Sequence, residues 1–348
     1  MTPRAGDNEP SAVGPAGRRP GGTAIGRAGP AVRRRRYGAV QEYLGMLAVL
    51  AGLIAVFSYL SPRFFTPLTF QMIAGQVPGA VIIAVGMTYV LIIAGIDLSV
   101  GSVLALSSGV LGVCIVKLSL PVPVAVLACL GVGPVCGLLN GFVSNRWRLP
   151  SFIVTLGMLQ IARGATQLVT DSKTQYIGAP IEPIAAATVV GIPVPFLIAF
   201  AIVIAAQVVL STTVFGRYMR AVGTNEEAVR LSGINPRPIK LAVFAICGLL
   251  TSVAAVLHTS RLSSADPNTG SGFELDAIAA VVIGGTSLMG GRGSVVRSFF
   301  GVLIIAVLGA GLVVVDVGDP TKKVITGGVI VAAVILDYYR RRLKRGRA

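Results

Sequence analysis

From about residue 41 to residue 339 the chain is a succession of apolar stretches separated by short polar breaks. Most stretches come close to the roughly 20 residues that an α-helix needs to cross the hydrocarbon of a bilayer. The pattern predicts ten spans, at about 41–60, 77–95, 98–116, 121–143, 151–169, 191–213, 240–260, 275–290, 294–315 and 323–339. The expected fold class is all-α: a polytopic membrane protein with about ten transmembrane helices, some broken or re-entrant. Backbone in hydrocarbon must satisfy its own hydrogen bonds, which favours helices and confines irregular segments to places lined by protein or a cavity.

Composition sharpens this picture. Hydrophobic residues are 54% of the chain and charged residues 13%, about half the charged share of a soluble domain. The expected organisation is a disordered basic tail over 1–36, a transmembrane domain over 37–340 and a second basic tail over 341–348. The first tail is rich in Gly, Pro, Ala and Arg and ends on Arg33–Arg36.

The net charge of +16 is a topology signal rather than a nucleic-acid footprint. With both termini cytoplasmic, the inner segments hold 23 of the 30 Lys and Arg residues. The outer loops hold Arg63, Lys117, Lys173, Arg261, Lys322 and Lys323, and Arg163 falls inside a span. The four cysteines lie within apolar segments and form no C-x-x-C pair, so they read as small buried hydrophobes. No metal site is expected, and the single histidine, His258, reads as a helix-end residue.

Within the spans, "GPVCGLLNG" sets Gly133, Gly137 and Gly141 four residues apart, a pattern that lets helix backbones approach closely. "LIIAGIDLSVGSVL" (91–104) is echoed by "VVIGGTSLMGGRGSVV" (281–296), each an apolar run interrupted by small and hydroxyl residues. Paired interruptions of this kind occur where broken helices build a transport path. Asp97, in the first of them, needs a reason, because a carboxylate at membrane depth is costly. One reading makes it the N-cap of a helix starting at Leu98; the other puts it in contact with solute. Substrate-pathway candidates are Asp97, Ser99, Gln76, Asn140 and Gln160.

The segment 214–240 is the longest polar inner loop. "NEEAVRLSGI" predicts a short helix with Asn225 as cap, Glu226 and Glu227 in its first turn, Ala228, Val229 and Leu231 as its apolar side, and Gly233 as stop. Such a helix is suited to docking in a partner's groove.

The motifs "GIDLSVGS", "LPSFIVTLGM", "GRYMRAVGTNEEAVRLSGI" followed by Lys240, and "RLSSADPNTGSGFELDAIAAVVIGGTSLMGGRGS", in this order, closely resemble the permease subunits of ribose-type ABC importers. The resemblance runs from about Tyr43 to Asp337. It implies a multi-pass protein of the prokaryotic cytoplasmic membrane that imports a monosaccharide or related polyol. It further implies a second permease copy, an ABC ATPase subunit and an extracytoplasmic sugar-binding protein as partners. Gly223, Asn225, Glu226, Ala228 and Gly233 would then lie in the ATPase-coupling segment. Near Gly311 the chain reads "GAGLVVVDVGDP" where ribose permeases tend to carry asparagines, so the resemblance gives a solute class and not a sugar.

The chain has no G-x-x-x-x-G-K-[ST] phosphate loop, which agrees with ATP and Mg residing on a separate ATPase and with no cofactor of its own. Two other functions fit the sequence less well. A proton-coupled secondary transporter usually carries more than one intramembrane carboxylate or histidine, whereas Asp97 is nearly alone. An intramembrane hydrolase would need an H-E-x-x-H or G-x-S-x-G signature, and neither is present.

Overall fold

The computed structural model describes residues 30–318, 320–329, 331, 332 and 335. The chain divides into Met1–Glu42 and Tyr43–Ala348. Of the first unit, only the start of helix α1 (Pro30–Leu60) is described. Arg33–Arg36, expected in a disordered tail, are therefore helical, while the rest of that tail, the tail at 341–348 and the end of the last expected span lie outside the described residues.

The second unit is a helical bundle. Its long helices are α2 (Pro67–Ile92), α4 (Val122–Trp147), α5 (Ser151–Thr170), α7 (Val194–Thr212), α10 (Pro236–Leu262) and α12 (Val295–Val314). With Tyr43–Leu60 of α1, seven helices among the described residues are long and apolar enough to cross a membrane. Two further expected spans are shorter: α3 (Val100–Val116) has 17 residues, and α11 (Phe273–Ile283) has 11. Residues 320–329 are helical where the tenth span was expected. The protein is all-α and polytopic; among the described residues seven helices meet the length of a span, α3 and α11 fall short of it, and the tenth expected span lies partly outside the described residues.

Helix α2 is the centre of the bundle, and its sequence says why. It is apolar on every side, and residues Val81–Ile93 are buried without a break, as expected of a helix surrounded by others. It starts ten residues earlier than predicted, at Pro67, where Thr66 caps the first turn by accepting the Thr69 amide (3.4 Å). Helices α4 and α10 cross against each other through the predicted glycines. A methyl at Gly133 would collide with the carbonyl of Gly248, and one at Gly137 with that of Phe244. The small-residue stripe thus serves packing within one chain. The outward sides of α4 and α5 carry exposed Leu127, Ile161 and Leu168, suited to lipid.

At one end of the bundle, between α5 and α7, lie β1 (Gln175–Tyr176), α6 (Glu182–Ala186) and the hairpin of β2 (Thr188–Val189) with β3 (Ile192–Pro193). Strand β1 pairs antiparallel with β4 (Ser264–Ala265) after α10. Arg163, the cation left within a span, donates to the carbonyls of Pro267 (2.9 Å) and Thr269 (3.0 Å), fastening the chain that leads from β4 to α11. At the other end, α8 (Val214–Thr224) and α9 (Glu226–Leu231) form the polar loop. Only α9 was predicted. Its companion α8 is amphipathic, burying Gly216, Met219, Val222 and Gly223 at three- and four-residue spacing.

Candidate functional site: two helix joints and the loop between them

The two echoing segments occupy the same place in the fold. In each, a helix ends, the chain runs irregularly for several residues, and a new helix begins. The first joint, 93–99, links α2 to α3; the second, 284–294, links α11 to α12.

The first joint is stitched by side chains. Helix α3 begins at Val100, two residues later than predicted, with Ser99 and not Asp97 in the cap position; Asp97 acts from two residues before the cap. Its carboxylate Oδ1 accepts the Ser99 amide (2.9 Å) and the Ser99 hydroxyl (2.6 Å), and that hydroxyl accepts from Asn140 Nδ2 of α4 (3.0 Å). Asp97, Ser99 and Asn140 are thus brought into one buried chain of hydrogen bonds, 2%, 1% and 1% exposed. Each bond in such a chain polarises the next, which offsets the cost of the buried carboxylate. The freed amides of Ile96 and Leu98 donate to Ser151 Oγ (2.9 Å) and Thr155 Oγ1 (3.0 Å) of α5. These two residues lie in the quoted "LPSFIVTLGM" but were not singled out. Their signal was available: two hydroxyls at i, i+4 share a helix face.

The second joint is shaped by glycines. Gly285, Gly290 and Gly291 have φ of 78°, 81° and 73°, in the left-handed region that side chains avoid. The new helix α12 is capped by Ser294, and Gln207 Oε1 of α7 accepts from the Val295 amide (2.9 Å) and the Ser294 hydroxyl (3.2 Å). Gln207 was likewise not anticipated.

The joints touch. The Gly291 amide donates to the Ile92 carbonyl (2.8 Å), tying the end of α2 to the second joint. Gly223, at the end of α8, lies against both of these groups, and a methyl on Gly223 would overlap the Ile92 carbonyl. A methyl on Gly290 would strike the Gly223 carbonyl and Ala94. Backbone therefore meets backbone at one point where α8 and both joints converge, and no side chain could be inserted there.

From that point α9 projects outward. Asn225 Oδ1 caps it by accepting the Ala228 amide (2.9 Å), Val229 is buried, and Gly233 at φ 79° ends it, as the sequence predicts. Glu226 pairs with Lys240 at the start of α10 (3.2 Å), which anchors the short helix to a long one. Glu227 pairs with Arg230, and this hydrogen bond holds the Glu227 carboxyl below its usual range. Ala228 and Leu231 face solvent beside a groove of about 590 Å³ lined by Arg148, Glu227, Arg230 and Arg237.

The remaining pathway candidates lie elsewhere. Gln76 sits toward the beginning of α2, on the far side from the joints, and lines cavities there. Gln160 is exposed on α5, away from the Asp97 cluster. Among the described residues no group of His, Cys, Asp and Glu could hold a metal ion, and all four cysteines are buried and free.

A family model described as "Branched-chain amino acid transport system / permease component" matches residues 69–334. The chain is 41% identical to the ribose import permease protein of Escherichia coli (strain K12) over 303 residues, covering 86% of this chain and 94% of that protein. It is 39% identical to the ribose import permease protein of Bacillus subtilis (strain 168) over 311 residues, 88% of this chain and 95% of the relative. It is also 37% identical to the D-allose transport system permease protein of Escherichia coli (strain K12), over 84% of this chain and 90% of the relative. No solved structure matches the chain.

Proposed function

The chain belongs to the ribose-type family of ABC sugar-importer permeases, and on that premise we propose that it carries a monosaccharide or related polyol inward across the cytoplasmic membrane, driven by a separate ATPase. It is a multi-pass transport subunit and not an enzyme. Two copies form the path, a binding protein delivers the solute from outside, and both termini face the cytoplasm. The proton-coupled alternative is disfavoured by the family and by Asp97 itself, whose carboxylate is engaged by Ser99 in a buried hydrogen-bond chain.

The observation that carries this reading is the convergence at Gly223. A loop helix that only connected two spans would have no need to press its backbone against both joints. In an ATP-driven importer the same contact has a use: a push on α9 and α8 reaches the ends of α2 and α11 together. The ATPase docks on α9, where Asn225 and Gly233 set the helix limits, Glu226 fixes it to Lys240, and Ala228 offers a small surface for close approach. Asp97, Ser99 and Asn140 hold the first joint in register.

Glu226→Lys combined with Ala228→Trp reverses a charge and blocks that approach. The double variant is expected to insert in the membrane at the wild-type level, lose the ATPase on co-purification and fall at least tenfold in solute uptake. Wild-type retention of the ATPase would place docking elsewhere.

A further inference from the structure

At the end of the bundle opposite α8 and α9, two cavities open beside α2. One, of about 180 Å³, lies between α2, α11 and α12 and includes Gln76, Phe273 and Asp276. The other, of about 230 Å³, lies between α2, α10 and the β2–β3 region and includes Gln76, His258, Arg261 and Phe273. Gln76, Ala80 and Phe273 line both, so the two cavities adjoin as the two lobes of a vestibule, with these residues between them. Together they fall within the several hundred Å³ of a small-ligand site.

The lining has the chemistry of a polyhydroxylated, uncharged solute. Gln76 offers a donor and an acceptor on one amide, Arg261 offers donors and Asp276 acceptors. The Phe273 ring, held edge-to-face against His258 at 5.8 Å between centroids, presents an apolar face. Gly75, Gly79 and Ala80 keep the α2 wall low. Among the described residues the side chains of Gln76, His258, Arg261 and Asp276 make no hydrogen bond or ion pair within the chain. Arg163, the cation within a span, is by contrast engaged on two carbonyls. One acid, Asp276, in one lobe and one guanidinium, Arg261, in the other leave no net charge for an ionic solute to answer.

Position adds the mechanical half of the argument. Helix α2 carries Gln76 in its first half and Ile92, bonded to the second joint, at its end, about 24 Å apart at 1.5 Å per residue. Helix α11 begins with Phe273 and Asp276 and ends at the second joint. Two of the helices that wall the vestibule, α2 and α11, are thus the two that run into the converging joints.

We propose that this vestibule is where the permease receives the sugar, with Gln76 and Asp276 as hydroxyl-binding residues and Phe273 as the apolar platform. This rests on the import reading above. The test uses full-length permease with its ATPase and binding protein in proteoliposomes, measuring uptake of radiolabelled D-ribose, D-xylose, D-allose and D-fructose alongside ATP hydrolysis. The quantity read is solute taken up per ATP, which does not depend on how much transporter is folded. Gln76→Leu and Asp276→Asn are expected to lower it at least fivefold, and to change the ranking of the sugars, while Leu168→Ala on the lipid face keeps the wild-type ratio. A wild-type ratio and ranking in both vestibule variants would overturn the assignment. If instead wild-type transporter moves none of the four sugars but hydrolyses ATP in response to a binding protein loaded with another class of solute, the import reading fails at its solute, and the vestibule's assignment as a sugar site falls with it.

Discussion

The two joints do the same work with different chemistry. Between α2 and α3 the break is held by side chains: a buried carboxylate, the hydroxyls of Ser99, Ser151 and Thr155, and the amide of Asn140. Between α11 and α12 the shape comes from backbone, through three glycines at positive φ, with Gln207 arriving from α7 to cap the new helix. The Asp97–Ser99 end of the first joint is buried, so donors and acceptors must be supplied locally, since unpaired polar groups are costly there. The second has to fold tightly against Ile92, Ala94 and Gly223, so room matters more than polarity. Irregular backbone within a membrane bundle can thus be stabilised by satisfying it or by compacting it.

The largest effect should come from removing room at the second joint. Gly290→Val places a branched side chain at φ 81° and against the Gly223 carbonyl. The left-handed conformation alone costs about 1–2 kcal/mol, and overpacking adds roughly 1–3 kcal/mol. Uptake is expected to fall more than tenfold, with a lower melting temperature in detergent. A variant that melts and transports as the wild type would mean that the joints do not interlock.

An intermediate effect belongs to the first joint. Asp97→Ala leaves the Ser99 amide and hydroxyl without their acceptor, at about 1–3 kcal/mol for the buried groups. Asp97→Asn keeps an acceptor oxygen in place and should retain most of the uptake and thermal stability. Should Asn abolish transport in a protein that remains folded and abundant, the negative charge itself is needed, and the contrast between a satisfied joint and a compacted one would have to be redrawn.

The smallest effect is a gain. Ala94 is a non-glycine residue at φ 59° in the first joint, facing Gly290 of the second. Ala94→Gly relieves a left-handed alanine, partly offset by the greater freedom of glycine in the unfolded chain. A net stabilisation of about 0.5 kcal/mol is expected, read as a small rise in melting temperature. A fall instead would show that the methyl packs usefully between the joints.

The apolar runs alone determined the class of protein, because no other arrangement lets so hydrophobic a chain satisfy its backbone. The cap and stop of α9, the close approach at Gly133 and Gly137, and the existence of two interruptions were equally legible, since each depends on residues near one another in the chain. The lengths of α3 and α11 were not, because a short helix followed by an apolar turn has the same hydropathy as a full span. Nor was α8 recognised, its polar positions masking an amphipathic face. What only the tertiary structure decided is who satisfies whom. Ser151 and Thr155 serve the amides of the first joint from more than fifty residues away, Gln207 caps α12 from nearly ninety, and Gly223 meets Ile92 and Gly291 only after α2, α8 and α11 have packed. A hydroxyl, an amide or a bare Cα looks the same in sequence whichever partner it finds; packing alone chooses the partner.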